Sequence, residues 1–292
     1  MIVIALICLV SIILGLYLGK KLADRGITAE NALVNHQRLT YIILIFLATV
    51  IITFLLSAKA NLKFFPQIIL LYIGEYTNDF VLGLGWFSVG FLLGLELPIH
   101  GDRQRLQKLI LAVIIITIPL AGLIHYSLPV TNLLGEPVVV EEVVLQTTSY
   151  TCAPASIATI ARITGTFPNF SEKDAIILTG TNRFGTSTLA EMRALRSLGF
   201  APHFRDSLKT TDLINLNLPA LLHVNEPVNG GYIQHAVVLL QVDATAQIVT
   251  IGNPLYGQQL KTFDQMQEYW TGEVVVLGQR VFGVNLKMMF SN

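Results

Sequence analysis

Cys152 is the residue whose position most directly predicts chemistry. It opens a predicted helix over 152–164, and Pro154 falls in the first turn, where a missing N–H costs no hydrogen bond. A thiol at a helix N-terminus experiences the positive end of the helix dipole, which stabilises the thiolate. We therefore expect Cys152 to have a lowered pKa and to alkylate rapidly. An inert, buried thiol is the alternative for a lone cysteine.

Two of the six histidines are candidates for a catalytic base. His223 ends a predicted strand at 219–224, and His235 begins another at 236–242. A histidine where a strand leaves the core is well placed to meet a helix N-terminus. Both residues therefore remain candidates at this point.

The partner of the imidazole distinguishes the two histidines. The strand after His235 and the next apolar segment flank a short turn at 243–246, which predicts a hairpin. If the loop centres on Ala244, His235 faces Asn253; a centre half a residue later would pair it with Pro254. Directly opposed residues share one face of a sheet. His235 with Asn253 is thus the favoured pair.

A cysteine at a helix start, a histidine and an orienting amide form the Cys-His-Asn arrangement of cysteine hydrolases. The amide of Asn253 can accept a hydrogen bond from the imidazole and fix its tautomer, but it brings no charge. Gln146, six residues before Cys152, could donate its amide N–H to an oxyanion. Its alternative role is a solvated glutamine at a strand end.

The segment around Cys152 resembles the nucleophile motif of the bacteriocin-processing cysteine peptidases, papain-like domains that remove leader peptides, typically after a double glycine. The resemblance covers roughly residues 141–277. The motifs that carry it, in family order, are Gln-Thr-Thr-Ser-Tyr-Thr-Cys-Ala-Pro-Ala-Ser (146–156), Gly-Thr-Ser (185–187), Leu-Gly-Phe (198–200), Leu-Pro-Ala (218–220), Gln-His-Ala-Val-Val (234–238), Gly-Asn-Pro-Leu-Tyr-Gly (252–257) and Tyr-Trp-Thr-Gly (269–272).

The resemblance implies a role for each matching residue. Cys152 becomes the nucleophile, His235 the base, Asn253 the third catalytic residue and Gln146 the oxyanion glutamine. His223 falls on a non-catalytic position. Much of the family is fused to an exporter, but no phosphate-binding loop of the Gly-x-x-x-x-Gly-Lys-Ser/Thr type occurs in the sequence.

The sequence departs from the family pattern in two places. Thr151 and Ala153 flank the nucleophile where the family usually has Asp and Gly, and Asn253 precedes Pro254 where the family usually has Asp. Ala153 narrows the space beside the thiol, and Asn253 makes the site more like that of papain. Neither change removes a required group.

Composition predicts that part of the chain lies in a membrane. Of the 292 residues, 53% are hydrophobic and 13% charged, about half the charge of a typical soluble domain. The net charge is zero, which disfavours nucleic-acid binding. Two cysteines provide neither a disulfide framework nor a zinc cluster, and no metal or organic cofactor is expected.

Four apolar segments in residues 1–126 are long enough to cross a bilayer, at about 1–18, 41–57, 80–97 and 109–126. A retained first span is favoured over a cleaved signal peptide because no basic segment precedes it. The shorter apolar run at 64–73 is interpreted as interfacial or re-entrant.

Basic residues predict the orientation of these spans. The loops at 19–40 and 98–108 carry seven of the nine Lys and Arg residues within 1–126 and are expected to be cytoplasmic. With four spans, both termini and the soluble domain then lie on the non-cytoplasmic side. The protein is expected to be a multi-pass integral membrane protein.

The remaining chain predicts one soluble domain. A linker at 127–140 leads to a papain-like α+β domain at 141–279, followed by a C-terminal tail at 280–292. Besides the segments named above, the pattern predicts a strand at 138–145, helices at 188–198 and 264–269, and strands at 248–251 and 273–277.

The predicted function is that of a membrane-anchored cysteine endopeptidase with a Cys-His-Asn triad. Its expected partners are a peptide or protein substrate, which the resemblance suggests carries a double-glycine leader, the lipid bilayer and an exporter. A papain-like module that binds peptides without cutting them is one alternative. A thiol amidase or acyltransferase is another.

Overall fold

The computed structural model describes residues 2–27, 67–96, 103–165 and 167–278, together with six separate helical positions between 42 and 52. The described chain divides into two compact units, Met1–Leu128 and Pro129–Asn292. Apart from those six positions, the span predicted at 41–57 lies outside the described residues. The tail predicted at 280–292 lies wholly outside them.

Three long helices make up the described part of the first unit: α1 (Ile2–Ala23), α2 (Gln67–Glu96) and α3 (Arg103–Tyr126). They contain the spans predicted at 1–18, 80–97 and 109–126, except for Met1 and Leu97, which are not described. From Gln67 onward the run at 64–73 is part of α2, not a separate short segment, because the helix continues through Gly74 without a break. A single glycine such as Gly74 costs a helix only about 1 kcal/mol relative to alanine. The interfacial position of the run stays a prediction.

Close backbone approach joins α1 to α2. A Cβ added at Gly15 would lie 2.2 Å from the carbonyl oxygen of Phe87, and one added at Gly94 would lie 2.3 Å from that of Leu16. Ile7 and Ser11 face Gly83, near the start of the contact. Small residues that bring backbones together are typical of helix pairs in membranes. Since residue numbers rise together on both helices, α1 and α2 run parallel.

Among the described residues, two helices are long and apolar enough to cross a membrane, at Ile4–Ala23 and Leu71–Glu96. Only 11% and 28% of their most apolar windows are buried inside the protein. Most of this apolar surface therefore faces outward, unlike that of a core helix in a soluble protein. The complete set of four spans stays a prediction.

The second unit is an α+β domain. Its helices are α4 (Cys152–Ile163), α5 (Glu172–Thr179), α6 (Thr188–Ser197) and α7 (Phe263–Tyr269), with two 3₁₀ turns at Thr131–Leu133 and Thr210–Asn215. Its strands are β1 (Val139–Val140), β2 (Val143–Val144), β3 (Ala201–Arg205), β4 (Ala220–Val228), β5 (Gly231–Asp243), β6 (Ile248–Asn253), β7 (Gly257–Thr262) and β8 (Trp270–Gly278).

Strands β3 to β8 form one antiparallel sheet in the order β3-β8-β4-β5-β6-β7. Neighbouring residues of a strand point to opposite faces, so Leu221 and Val238 pack with α4 and α6, whereas Leu222 and Val237 pack with α7. The sheet is thus covered by apolar side chains on both faces. This double cover holds β4, β5 and β6 rigidly beneath the candidate site.

Several predicted elements differ in the structure. The strand predicted at 138–145 is a two-stranded hairpin, since Glu141 and Glu142 both have positive φ (47° and 68°), as a type I′ turn requires. Helix α5 and strand β7 were not predicted. Helix α5 is short, begins with a capping box at Ser171 and ends at Gly180, which has positive φ.

The β5–β6 hairpin forms with a register different from the predicted one. Val238 pairs with Gly252 and Val242 with Val249, with an irregularity between Leu239 and Gln241. The predicted centre at Ala244 is wrong, because the turn occupies residues 244–247, one residue later than predicted. The Asp243 carboxylate accepts bonds from two turn amides, at 2.9 Å each. The direct opposition of His235 and Asn253 is therefore not formed, although their side chains do meet.

The parallel contact of α1 with α2 can be tested by disulfide formation. In a Cys8→Ala background, Ser11→Cys combined with Gly83→Cys should crosslink on mild oxidation, because a Cβ at Gly83 lies 3.2 Å from the Ser11 hydroxyl oxygen. Mass spectrometry of the digested protein detects the linked peptides.

The matched control places the second cysteine at Gly74, where an added Cβ meets nothing within 4 Å. Gly74 is nine residues from Gly83, about 13 Å along the helix. Equal crosslinking from Gly74 and Gly83 would contradict the parallel packing.

Candidate active site

Cys152 is the first residue of α4 and is partly buried. The preceding residue, Thr151, is fully buried, and its hydroxyl bonds to the carbonyl oxygen of Thr148 at 3.2 Å instead of capping the helix. Because Pro154 has no N–H, the amides of Cys152 and Ala153 are the donors at the start of the helix. Both amides lower the pKa of the thiol.

Helix α4 is fixed against β5 beside His235. One turn after Cys152, the buried hydroxyl of Ser156 donates to the carbonyl oxygen of Ala236 at 3.0 Å. The backbone amide of Ala236 lowers the pKa of the Cys152 thiol. The Ser156 bond thus ties the first turns of α4 to the residue that follows His235.

His235 and Asn253 are bonded directly. Nε2 of His235 lies 3.0 Å from Oδ1 of Asn253, and both residues are buried, at 4% and 0% exposure. Oδ1 also accepts the backbone N–H of Leu255 at 2.9 Å. The bond forms although the strand register differs from the predicted one, because Asn253 ends β6 and its side chain reaches across to β5.

The orientation of the Asn253 amide follows from its partners. Nδ2 lies 2.9 Å from Oε2 of Glu226 and 3.2 Å from Oε1 of Gln259, which are both acceptors. The nitrogen must face them, and the oxygen must face His235. Nε2 of His235 therefore carries the proton, which leaves Nδ1 unprotonated in the neutral ring. This tautomer is the one that a general base on Nδ1 requires.

Gln146 is tied to both halves of the site. Its backbone N–H donates to the carbonyl oxygen of Pro254 at 2.9 Å, next to Asn253. Its side-chain Nε2 donates to the carbonyl oxygen of Thr148 at 2.8 Å. Oε1 is buried and has no partner among the described residues. The second hydrogen on Nε2 is then the donor that Gln146 has to offer.

The pKa shifts of Cys152 and His235 indicate that the thiol and the imidazole are both neutral at pH 7. Burial raises the pKa of Cys152 to about 11; the amides of Ala236, Ala153 and Cys152 lower it, and the charge of Glu191 raises it further. Burial lowers the pKa of His235, against the opposing effects of the Asn253 hydrogen bond and Glu226. The expected lowering of the thiol pKa is wrong because loss of water outweighs the effect of the helix dipole.

The structure thus joins some of the predicted site residues by hydrogen bonds and leaves others unbonded to one another. His235 and Asn253 are hydrogen bonded, and Cys152 lies beside the residue after His235. Among the hydrogen bonds of the described residues, none joins the Cys152 thiol to the imidazole or to Gln146. The residues predicted as nucleophile, base and oxyanion donor are therefore not hydrogen bonded to one another through their side chains.

His223 has a different role from the one considered for it as a base. Its Nε2 lies 2.8 Å from a carboxylate oxygen of Glu191, and its Nδ1 lies 2.9 Å from one of Glu273. Burial lowers its pKa, but the two carboxylates outweigh that effect and raise the pKa to about 9. His223 is therefore a protonated link between α6, β4 and β8, with neither ring nitrogen available as a base.

Two residues of the site, Glu226 and Tyr269, were not among the site residues predicted from the sequence. Glu226 is only 4% exposed, and its Oε2 accepts bonds from Asn253 and from the hydroxyl of Tyr269. Burial and then Glu226 raise the pKa of Tyr269. The alternation of β4 was the available signal, since Glu226 falls in phase with the buried Leu222 and Val224.

In the described part of the chain, no cluster of three His, Cys, Asp or Glu residues is suited to hold a metal ion. The chemistry available at the site is that of a thiol, an imidazole and amide donors. These are the groups that acyl transfer through a covalent intermediate requires.

Comparison with known proteins agrees with this chemistry. Residues 140–281 match the sequence model of the Peptidase C39 family, so the family resemblance of this domain is confirmed. No curated protein matches the chain.

Solved structures similar to the chain include three peptidase domains. One is a double glycine motif protease from an AMS/PCAT transporter in complex with the leader peptide (18% identity, 49% of this chain, 91% of that one, TM-score 0.40). Another is the peptidase domain of Streptococcus ComA, a bi-functional ABC transporter involved in a quorum sensing pathway (24% identity, 47% and 96%, TM-score 0.41). The third is that of Streptococcus mutans ComA (23% identity, 47% and 99%, TM-score 0.36).

The His223 cluster predicts a pH-dependent stability. A raised pKa stabilises the folded state fully below the unfolded value of about 6.5, and this stabilisation, on the order of 3 kcal/mol, is lost as the pH rises through about 9. The melting temperature of the wild-type protein should therefore fall from pH 7 to pH 10 by more than that of His223→Gln. Circular dichroism of the full chain in detergent measures both. Equal falls would show that the cluster does not stabilise the fold.

The neutral thiol predicts slow alkylation in the absence of substrate. At pH 7 iodoacetamide should label Cys152 more slowly than free cysteine, and the rate should rise towards a midpoint near pH 11. His235→Ala should leave this profile unchanged, since no bond joins the two groups. Mass spectrometry of the Cys152 peptide gives the rate. Selective labelling at pH 6, lost in His235→Ala, would instead demonstrate a thiolate–imidazolium pair.

Proposed function

We propose that the protein is a membrane-anchored cysteine endopeptidase that cleaves leader peptides. The observation that carries the proposal is the His235–Asn253 hydrogen bond, formed beside Cys152 in a domain matched by the Peptidase C39 family. Cys152 would be the nucleophile, His235 the base, and Asn253 the residue that fixes the imidazole tautomer.

In the proposed reaction, a substrate carbonyl enters beside the Cys152 thiol. The thiol proton moves to Nδ1 of His235 as Sγ bonds to the carbonyl carbon. The oxyanion accepts bonds from the Cys152 amide and from the second N–H of Gln146. His235 then gives its proton to the leaving amine as the C–N bond breaks.

Water completes the cycle. Nδ1 of His235 takes a proton from a water molecule while the oxygen of that water attacks the thioester carbon. When the tetrahedral intermediate collapses, the C–S bond breaks and the proton returns from Nδ1 to Sγ. The reaction releases a carboxylic acid and an amine and regenerates both neutral groups. Because the resting pair is neutral, the proton transfer belongs to the attack and does not precede it.

The substrate class comes from the comparisons. One similar structure is described as a double glycine motif protease with its leader peptide, and others belong to ABC transporters. We infer a peptide with a double-glycine leader as substrate and association with an exporter. The apolar helices α1, α2 and α3 would anchor the domain in the bilayer, together with the predicted span at 41–57.

A peptide-binding module is the second candidate, and the raised pKa of Cys152 favours it. Such a module would hold a leader in the same cleft without cleaving it. The two functions differ in what Cys152→Ala changes. It removes cleavage in one case and changes nothing in the other.

The test is cleavage of synthetic double-glycine leader peptides by the full chain in detergent. Wild-type protein should release the leader after the second glycine, Cys152→Ala should release none, and Asn253→Ala should be at least about tenfold slower because the imidazole loses its orientation. Mass spectrometry maps the products. Leader binding by both wild type and Cys152→Ala, with no product from either, would establish the binding module.

The neutral pair also predicts the pH profile of kcat/KM. The acid limb should lie below the usual histidine pKa of about 6.5, since the pKa of His235 is lowered, and the alkaline limb should lie near pH 11. Activity should therefore be flat between about pH 7 and pH 9. A loss of activity below pH 9 would show that the productive state is an ion pair.

A further inference from the structure

Glu226 is a buried carboxylate with no ionic partner. It is 4% exposed, and no Lys, Arg or His of the described residues lies within ion-pair distance of it. Its neutral donors are the amide of Asn253 and the hydroxyl of Tyr269. A buried charge held only by neutral donors is expensive, so its presence requires a compensating gain.

The compensating gain is the attraction between the Glu226 carboxylate and the His235 imidazolium, which exists only when His235 is protonated. Asn253 bonds to His235 through Oδ1 and to Glu226 through Nδ2, so a single amide separates the carboxylate from the ring. The charge of Glu226 already acts on the imidazole, favouring its protonated form. During attack by Cys152, the imidazolium forms at one end of the hydrogen-bonded series His235–Asn253–Glu226, and the carboxylate lies at the other end.

We propose that Glu226 is a positioning residue that supplies the negative charge missing from Asn253, stabilising the His235 imidazolium through the Asn253 amide. This inference rests on the proposed function, since it assigns a role in the same reaction. Family members with Asp at the position of Asn253 would place the charge directly on the ring. In this protein the charge lies on Glu226, which is separated from the imidazole ring by the side chain of Asn253.

The surroundings of the cluster hold few other charges. Lys261 lies over the ring of Tyr269, with Nζ 4.2 Å from the ring centroid. The charge of an ionised Tyr256 would raise the pKa of Tyr269. Cys152 approaches from α4 and is neutral in the resting state. Glu226 is therefore the anion that faces the His235–Asn253 pair.

Glu226→Gln separates charge from hydrogen bonding. Both donors of the cluster bond to the same atom, Oε2, so the amide oxygen of glutamine can accept both bonds. The variant loses the charge and keeps the geometry. The matched control is Glu268→Gln, which removes the same charge from an exposed position on α7, next to Tyr269.

The experiment measures the pKa of His235 by NMR in the full chain, labelled with ¹³C-histidine in detergent micelles, with the signal assigned by its loss in His235→Gln. Glu226→Gln should lower this pKa by about one unit relative to Glu268→Gln. In the peptidase assay, it should lower kcat about tenfold or more with little change in KM. An unchanged His235 pKa would overturn the proposal.

A charge swap provides the second variant. Glu226→Gln with Asn253→Asp moves the carboxylate into contact with the ring and should raise the His235 pKa to at least its wild-type value, with recovery of kcat. If the single variant does not fold, the swap is measured alone, and a pKa below wild type overturns the proposal. The titration needs no substrate, so a protein that cleaves nothing would refute the proposed function and still test the role of Glu226.

Discussion

The candidate site depends on the complete hydrogen bonding of one buried amide. Asn253 is 0% exposed, and its oxygen and nitrogen both have partners, on β4, β5 and β7 and in the backbone that follows β6. A buried amide with a missing partner would cost about 1–3 kcal/mol, so any displacement of these strands is resisted at this point. The same bonds that hold the ends of the strands in place also orient the imidazole. The stability of the sheet and the geometry of the candidate site therefore depend on the same hydrogen bonds.

The other half of the site is placed by a helix, not by a side chain. Cys152 lies where it does because α4 packs its apolar face on the sheet and Ser156 bonds to β5. Substituting Ala for the family's usual Gly at position 153 fits this arrangement, since Ala153 is 3% exposed and belongs to that apolar core. Thr151 replaces the usual Asp and uses its hydroxyl to close the turn before the helix. Both departures from the family pattern contribute to packing.

The sequence predicted the parts of the site that local pattern controls. Cys152 at a helix start, His235 on a strand and Asn253 at the end of the next strand all follow from short-range signals. The sequence also predicts the meeting of His235 with Asn253, in spite of a wrong register. The role of Glu226 does not follow from the sequence, because the alternation of β4 marks it only as an inward-facing position and it meets Asn253 through tertiary pairing. The raised pKa of Cys152 was missed for a related reason. The helix dipole is visible in the sequence, whereas the depth of burial is a property of the whole fold.

The neutral state of Cys152 has a consequence for the survival of the protein in an oxidising environment. With a pKa of about 11, only about one molecule in ten thousand carries a thiolate at pH 7. Peroxides and disulfides react with the thiolate, so the resting thiol is a poor target for sulfenic acid formation and for mixed disulfides. The burial that slows the ionisation of Cys152 therefore also keeps its sulfur reduced.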